Sequence, residues 1–243
     1  MKAIILAAGI ASRLRPLTDS IPKCLLKIGE RSLLERTFDA LIANGVNDFI
    51  VVTGYRQQQI VDFINSNYPN QTIQFVYNEY YQSTNNIYSL WLASSFVDKE
   101  DVLLLDSDII FDPQIIKALL IAPQANALAL NRHELGDEEI KVILDKENYV
   151  LEISKTCSIA MSAGESIGIE KMSFPYFKAL SKEMDIMIQE ENMKNVFYEM
   201  AFERLISQNH FFYAVDTTHF FSAELDTVED FEQAQLLIPQ NLY

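Results

Sequence analysis

The sequence predicts an α/β protein: a Rossmann-like, mixed but mostly parallel sheet with flanking helices, plus a small antiparallel subregion in its second half. Three observations predict it. Over residues 1–122 short apolar runs alternate with longer amphipathic stretches, the pattern of buried strands covered by helices. Beyond residue 123 the runs shorten and charged turns separate them, as in antiparallel hairpins. Hydrophobic residues make up 49% and charged residues 22% of the 243, enough apolar material for one sizeable core in a single domain, 1–243.

Residues 2–7, Lys2-Ala3-Ile4-Ile5-Leu6-Ala7, form the first strand. The run is apolar on both faces, as a central parallel strand is, and far too short to span a bilayer. Arg13 and Arg15 follow it where a signal peptide needs a polar cleavage region, so the run reads as a strand and not as a leader. From Ser32 to Ala43 the residues Leu33, Leu34, Phe38, Leu41 and Ile42 recur at helical spacing. Asn44-Gly45 stops that helix, because glycine alone enters the left-handed region without steric cost. Residues 49–53 are a second strand, 56–66 a helix, 73–77 a third strand and 86–96 a helix. Val102-Leu103-Leu104-Leu105 is a fully buried strand, and Pro113 opens the next helix at its first turn. In the second half, 127–130, 140–144 and 150–153 read as antiparallel strands, and 159–169 is a further apolar run. Helices near 173–188 and 195–207, a strand at 211–215 and a helix at 228–237 complete the pattern. No internal repeat, low-complexity tract or Gly/Ser linker divides it.

The net charge of −15 argues against nucleic acid, whose phosphates would be repelled, and against an anionic membrane surface. The charge is unevenly placed. Residues 1–56 carry eight Lys or Arg and five Asp or Glu, a local +3, which leaves −18 for residues 57–243. A basic end on an acidic chain is either a solvated face or a place to handle a small anion. Cys24 and Cys157 have neither disulfide-framework nor metal-ligand spacing, which favours a reducing, cytoplasmic compartment. Cys24 reads as a small buried hydrophobe. His133, His210 and His219 have no ligand spacing, and His133, between Arg132 and Glu134, reads as a surface turn residue.

After the first strand comes Ala8-Gly9-Ile10-Ala11-Ser12-Arg13-Leu14-Arg15-Pro16-Leu17-Thr18. Small side chains let backbone N–H groups approach a ligand closely, and a row of such donors makes a nest for a polyphosphate. Arg13 would add a permanent charge with a planar fork of donors. The stretch is neither a Walker loop, which needs Gly-Lys-Ser/Thr, nor a dinucleotide GxGxxG, because it has one glycine. On its own it is compatible with an ordinary tight βα turn.

Leu6-Ala7-Ala8-Gly9-x-x-Ser12-Arg13-Leu14-Arg15-Pro16-Leu17-Thr18, followed by Pro22-Lys23-Cys24-Leu25-Leu26, resembles the signature of the nucleotidyltransferases that couple a nucleoside triphosphate to a sugar phosphate or amino-alcohol phosphate. The fold this resemblance implies is that of the nucleotide-diphospho-sugar transferases, with 1–122 as the nucleotide-binding half and 123–243 as the acceptor-binding half. The family usually carries a second loop glycine where this chain has Ala11. The resemblance implies that Arg13 and Lys23 hold the triphosphate and serve catalysis. It also implies that Leu6, Ala7, Ala8, Gly9, Ser12, Gly54, Tyr55 and Asn85 contribute to the nucleotide site.

Asp106-Ser107-Asp108 follows the buried strand, at the C-terminal strand end where open α/β sheets bind ligands. One carboxylate there can hold Mg²⁺, although DxD also marks turns and caps. By resemblance Asp108 is a metal ligand supported by Asp106, and Asp226, in Ala223-Glu224-Leu225-Asp226-Thr227, is the second. Asp226 or Thr227 is equally placed to N-cap the last helix.

Asn78-Glu79-Tyr80-Tyr81 followed by Asn85-Asn86-Ile87-Tyr88-Ser89-Leu90 resembles the cytidylyltransferases acting on phosphocholine or 2-aminoethylphosphonate. The implied partners are CTP and a small anionic acceptor bearing a cationic amine, which aromatic faces and carboxylates favour. Tyr81, Tyr88, Glu165, Gly168, Tyr198 and Glu199 are the implied acceptor contacts. For Tyr88 and Trp91 a helical core stripe is the competing reading, as are a hairpin glycine for Gly168 and a solvated helix face for Glu199. The implied reaction is Mg²⁺-dependent CMP transfer with release of pyrophosphate. Two alternatives stand beside it: a UTP- or dTTP-dependent sugar-1-phosphate nucleotidyltransferase, and a non-catalytic nucleotide-binding regulator. Monomer and homodimer are both open.

Overall fold

The computed structural model describes residues 1–242. Strand β1 (Lys2–Ala7) is the centre of the sheet, paired in parallel with β4 (Asp48–Thr53) on one side and β6 (Val102–Asp106) on the other. Between β1 and β4 lie a two-residue hairpin, β2 (Lys27–Ile28) with β3 (Arg31–Ser32), and helix α1 (Leu33–Ala43). Ser32 caps α1 through a reciprocal bond with Glu35, and Gly45 adopts φ 82° just past its end, as the stop signal requires. Helix α2 (Gln57–Asn67) leads to β5 (Thr72–Tyr77), the edge strand, and α3 (Asn86–Ser94) returns the chain to β6.

The strand order is β10-β9-β11-β6-β1-β4-β5. Strand β7 (Ile109–Phe111) and helix α4 (Gln114–Ile121) precede β8 (Ala127–Asn131), β9 (Lys141–Leu144), β10 (Val150–Ser154) and β11 (Gly164–Met172). Strand β11 runs antiparallel to β6, so the second half extends the same sheet. Helix α5 (Phe174–Asp185), a π turn at Ile186–Glu190 and α6 (Glu199–Ser207) cover one face. The chain closes with β12 (Tyr213–Asp216) beside β8, β13 (Ser222–Glu224) beside β7, and α7 (Val228–Leu237).

The two faces of β1 explain its unbroken apolar sequence. Ile4 and Leu6 point into a core shared with α3, α5 and α6, while Ala3, Ile5 and Ala7 point into one shared with α1, α2 and α4. Two expectations are corrected. Residues 195–198 are not helical, because the Tyr198 N–H donates to Asn86 Oδ1 at 2.9 Å and ties this segment to the start of α3. The apolar run at 159–169 begins as a short 3₁₀ turn, Ile159–Met161, before β11 starts at Gly164. The pairs β2/β3 and β7/β13 were not foreseen, being strands of two or three residues with no periodicity to read.

Candidate active site

A cavity of about 480 Å³ opens at the C-terminal ends of β1 and β6. Its floor is the loop after β1: Leu6, Ala7, Ala8, Gly9, Ile10, Ala11, Ser12 and Arg13 all line it. Ala11 sits at φ 52°, ψ 54°, the left-handed region, at the place where the resemblance led us to expect a second glycine. The loop needs that turn whichever residue supplies it, and Thr18 Oγ1 braces it by donating to the Ala11 carbonyl at 2.9 Å.

The acidic centre is assembled by a two-stranded pairing. Glu224 lies opposite Ile109 in the β7/β13 ladder, and the Leu225 N–H donates to the Asp108 carbonyl at 3.0 Å. Because side chains alternate along an extended chain, Glu224 and Asp226 share one side while Leu225 is fully buried on the other. The carboxylate oxygens of Asp108, Glu224 and Asp226 consequently lie within 4.8 Å of one another. Thr227 caps α7, with Asp230 completing the capping box, and this leaves the Asp226 carboxylate free for the cavity.

Two cations answer this cluster. Lys23 Nζ bridges Asp226 Oδ1 at 2.8 Å and Asp108 Oδ2 at 3.0 Å, and Arg13 pairs with the other Asp226 oxygen. Burial works against the lysine charge, but the two carboxylates outweigh it and raise the Lys23 pKa. Burial likewise opposes ionisation of Asp226, yet Lys23 and Arg13 hold its carboxyl below the usual range. Glu224 makes no ion pair among the described residues, and Lys23 acts on it only from a distance. Loss of solvent and the facing Asp108 and Asp226 push it up to about 8. Asp108 Oδ1 is buried without a hydrogen-bond partner among the described residues.

Behind this centre sits a second acidic group. Burial, and then Asp108, Glu199 and Glu170, push Asp106 well above the usual carboxyl range, while the Tyr198 hydroxyl donates to its Oδ2 at 2.9 Å. Glu199, in the first turn of α6, lines the cavity, and burial pushes it up to about 7.

Of the residues singled out from sequence, Leu6, Ala7, Ala8, Gly9, Ser12, Arg13, Lys23, Tyr81, Asn85, Asp108, Glu199 and Asp226 are brought together around this one cavity. Six are placed elsewhere. An added Cβ on Gly54 would lie 2.5 Å from the Ala8 carbonyl and 2.7 Å from Tyr81 Cβ, so its role is to let Tyr81 close on the loop. Tyr55 donates from its backbone to Ala8 and from its hydroxyl to Thr18, bracing the same loop from outside. Tyr88 is buried against Tyr80 and Trp91, in the helical core stripe. Tyr198 is fully buried and spends its hydroxyl on Asp106. Gly168, at φ 70°, leaves room for Asp106 Oδ2, which would stand 2.8 Å from a Cβ there: the close approach is to protein and not to a ligand. Glu165 bonds His133 Nε2 at 2.7 Å and lines a separate cavity, while His133 itself lies exposed in a bend, as expected of a surface turn residue.

Sequence reasoning passed over Glu224, Lys155 and Phe197, which also line the site. For Glu224 the signal existed, since a carboxylate two residues before Asp226 on an extended segment shares its face. Lys155 and Phe197 carry no local signal.

Over residues 2–131, including the loop, Lys23 and Asp108, the sequence matches the family model described as nucleotidyl transferase. The chain belongs to this family. Relatives of the chain include a CTP:phosphoglutamine cytidylyltransferase from Campylobacter jejuni, 25% identical over 96% of this chain and 98% of that protein. A CMP-5'-(3-aminopropyl)phosphonate synthase from Streptomyces rubellomurinus is 34% identical over 54% of this chain, a stretch that spans only 21% of that larger protein. The fold is also that of a CTP:phosphocholine cytidylyltransferase from Streptococcus pneumoniae, with a TM-score of 0.79, 22% identity and 98% and 99% of the two chains covered.

Proposed function

We propose that this nucleotidyl transferase family member moves CMP from CTP to a small phosphorylated or phosphonylated amine, releasing pyrophosphate, with Mg²⁺ as its metal. The observation that carries the reading is the meeting of Arg13 and Lys23 with Asp108, Glu224 and Asp226 at the mouth of the β1 loop. The cytidylyl relatives named above support the choice of nucleotide.

The residues fit a hard divalent cation. Three carboxylates converge, and Asp108 Oδ1 is a buried oxygen without a partner among the described residues, a donor set suited to Mg²⁺. Asp108 and Asp226 would hold the ion, which supplies positive charge at phosphate oxygens when bound.

The chemistry asks little else of the protein. A phosphate monoester loses its second proton near pH 6, so the acceptor's attacking oxygen is already ionised and no general base is needed. That oxygen bonds to the α-phosphorus of CTP, the α–β bridging bond breaks, and its electron pair leaves on pyrophosphate. The loop N–H groups and Ser12 would seat the phosphates, while Arg13 and Lys23 would offset the charge that accumulates on the leaving group. Asn85 would contact the nucleotide, and Tyr81 and Glu199 the acceptor, as the resemblance implies. No helix among the described residues is long and apolar enough to cross a membrane, and we place the enzyme in the cytoplasm.

Pyrophosphate release measured for four nucleoside triphosphates, each crossed with phosphocholine, phosphoethanolamine, 2-aminoethylphosphonate and glucose 1-phosphate, tests the reading. It requires turnover with CTP and an amine acceptor. Turnover confined to glucose 1-phosphate with UTP or dTTP would replace it with the sugar-phosphate alternative, and saturable CTP binding without turnover would favour the regulator.

A further inference from the structure

We infer that Glu199 makes the acceptor end of the cavity selective for a head group that carries N–H donors, a primary ammonium, over a quaternary ammonium. The inference rests on the cytidylyl-transfer reading and specifies its acceptor.

The Glu199 carboxylate lines the cavity, and its Oε2 is buried without a hydrogen-bond partner among the described residues. A buried acceptor left unpaired is costly, so the geometry is completed by a ligand that donates to it. The other acid on this side, Glu138, is already engaged by Lys155 at 3.3 Å and Arg13 at 3.7 Å. An ammonium offers three donors as well as the charge.

Among the described residues the cavity also lacks an aromatic cage. A quaternary ammonium has no N–H and is recognised by several aromatic faces around its methyl groups. Among the described residues the lining holds two aromatic rings, Tyr81 and Phe197. The Phe197 ring is covered by Lys155, whose Nζ lies 5.0 Å from its centroid. Tyr81 packs against Gly54, and one ring alone does not make a cage. Tyr88 is committed to Tyr80 and Trp91, the Trp91 indole donates to Asp185 at 2.8 Å, and the Tyr198 hydroxyl serves Asp106. Such a site can neutralise a trimethylammonium but cannot enclose it, and Oε2 stays unpaired.

The test is steady-state kinetics with CTP and Mg²⁺ for wild type and Glu199→Gln, using phosphoethanolamine and phosphocholine, which differ only in N-methylation. Wild type is expected to favour phosphoethanolamine in kcat/KM by at least roughly 10-fold. Glu199→Gln should lower kcat/KM for phosphoethanolamine by about 10- to 100-fold, chiefly through KM, and that for phosphocholine by a several-fold smaller factor, since only the charge is lost there, so that the preference narrows. An unchanged KM for CTP shows that the variant is folded and its nucleotide half intact. A wild-type preference for phosphocholine, or equal losses on both acceptors, would overturn the inference while leaving cytidylyl transfer standing. If neither acceptor yields pyrophosphate from CTP, the cytidylyl-transfer reading itself fails and the inference with it.

Discussion

Lys23 is the residue on which two readings of the site converge. In this structure it neutralises the carboxylate pair that would hold the metal, bridging Asp108 and Asp226. Replacing it with methionine should lower kcat/KM for CTP by roughly 10² to 10³, the usual loss when a charge partner of the reacting group is removed. The same change should tighten Mn²⁺ binding in the absence of nucleotide, seen by electron paramagnetic resonance titration, because Asp108 would lose its cation and Asp226 would keep Arg13 alone. Weaker Mn²⁺ binding would mean that the lysine does not compete for the pair. Ala11 makes a different prediction. Its left-handed conformation costs a side-chain-bearing residue about 1–2 kcal/mol, partly offset by the entropy a glycine loses on folding. Ala11→Gly should therefore stabilise the protein by about 0.5–1 kcal/mol in urea unfolding, and a destabilised variant would contradict this account of the loop.

At the scale of elements, the β7/β13 ladder is what joins two ends of the chain into one site. Leu225 is fully buried in a small cluster with Ile28, Leu33, Ile110 and Ala234, and it fixes which way Glu224 and Asp226 face. Leu225→Ala should cost about 2–5 kcal/mol in chemical denaturation and lower kcat without touching a substrate group, since Asp226 loses its anchor. Wild-type kcat in that variant would show that the ladder does not position the carboxylates. This is also where the sequence was least legible. The long strands and helices announce themselves because their burial repeats over many residues, as in β1 or α1. A three-residue strand is defined by its distant partner, and no local pattern records that Ser222 meets Phe111. The glycines of β11 show the same limit: close approach was readable, but Gly164 approaches the Asn131 carbonyl and Gly168 the Asp106 carboxyl, so neither opens onto a ligand.

For the whole molecule the charge asymmetry takes a specific form. Arg13 and Lys23 come from the basic front of the chain and Asp226 from the acidic remainder, and the fold brings them into contact. The rest of the acidic charge includes buried groups that set a pH dependence of stability. Glu170 is fully buried with Oε2 unpartnered among the described residues, and burial, followed by Glu199, pushes it well above the usual range. Glu170 in turn helps to hold Asp106 above the usual range, while Ser166 Oγ donates to Glu170 Oε1 at 3.3 Å and works against the shift. A carboxyl whose folded pKa is raised keeps its proton where the unfolded chain has lost it. Stability is therefore present at low pH and falls as pH rises through the folded pKa. Asp226 runs the other way, but its contribution is lost only below pH 4, outside this window. Melting temperature should accordingly fall between pH 6 and pH 8.5. Glu170→Gln should flatten that slope and raise the value at pH 8.5 by roughly 2–12 °C, taking about 1–3 kcal/mol at 2–4 °C each. An unchanged slope would mean that Glu170 is ionised in the folded protein. The central claim is most directly tested by following the α-phosphorus itself. With CTP labelled at that atom and phosphoethanolamine as acceptor, wild type should transfer the label to a cytidine diphospho-amine product, and Asp108→Asn should transfer none. Label retained in CTP by wild type, or transfer undiminished in Asp108→Asn, would contradict the account.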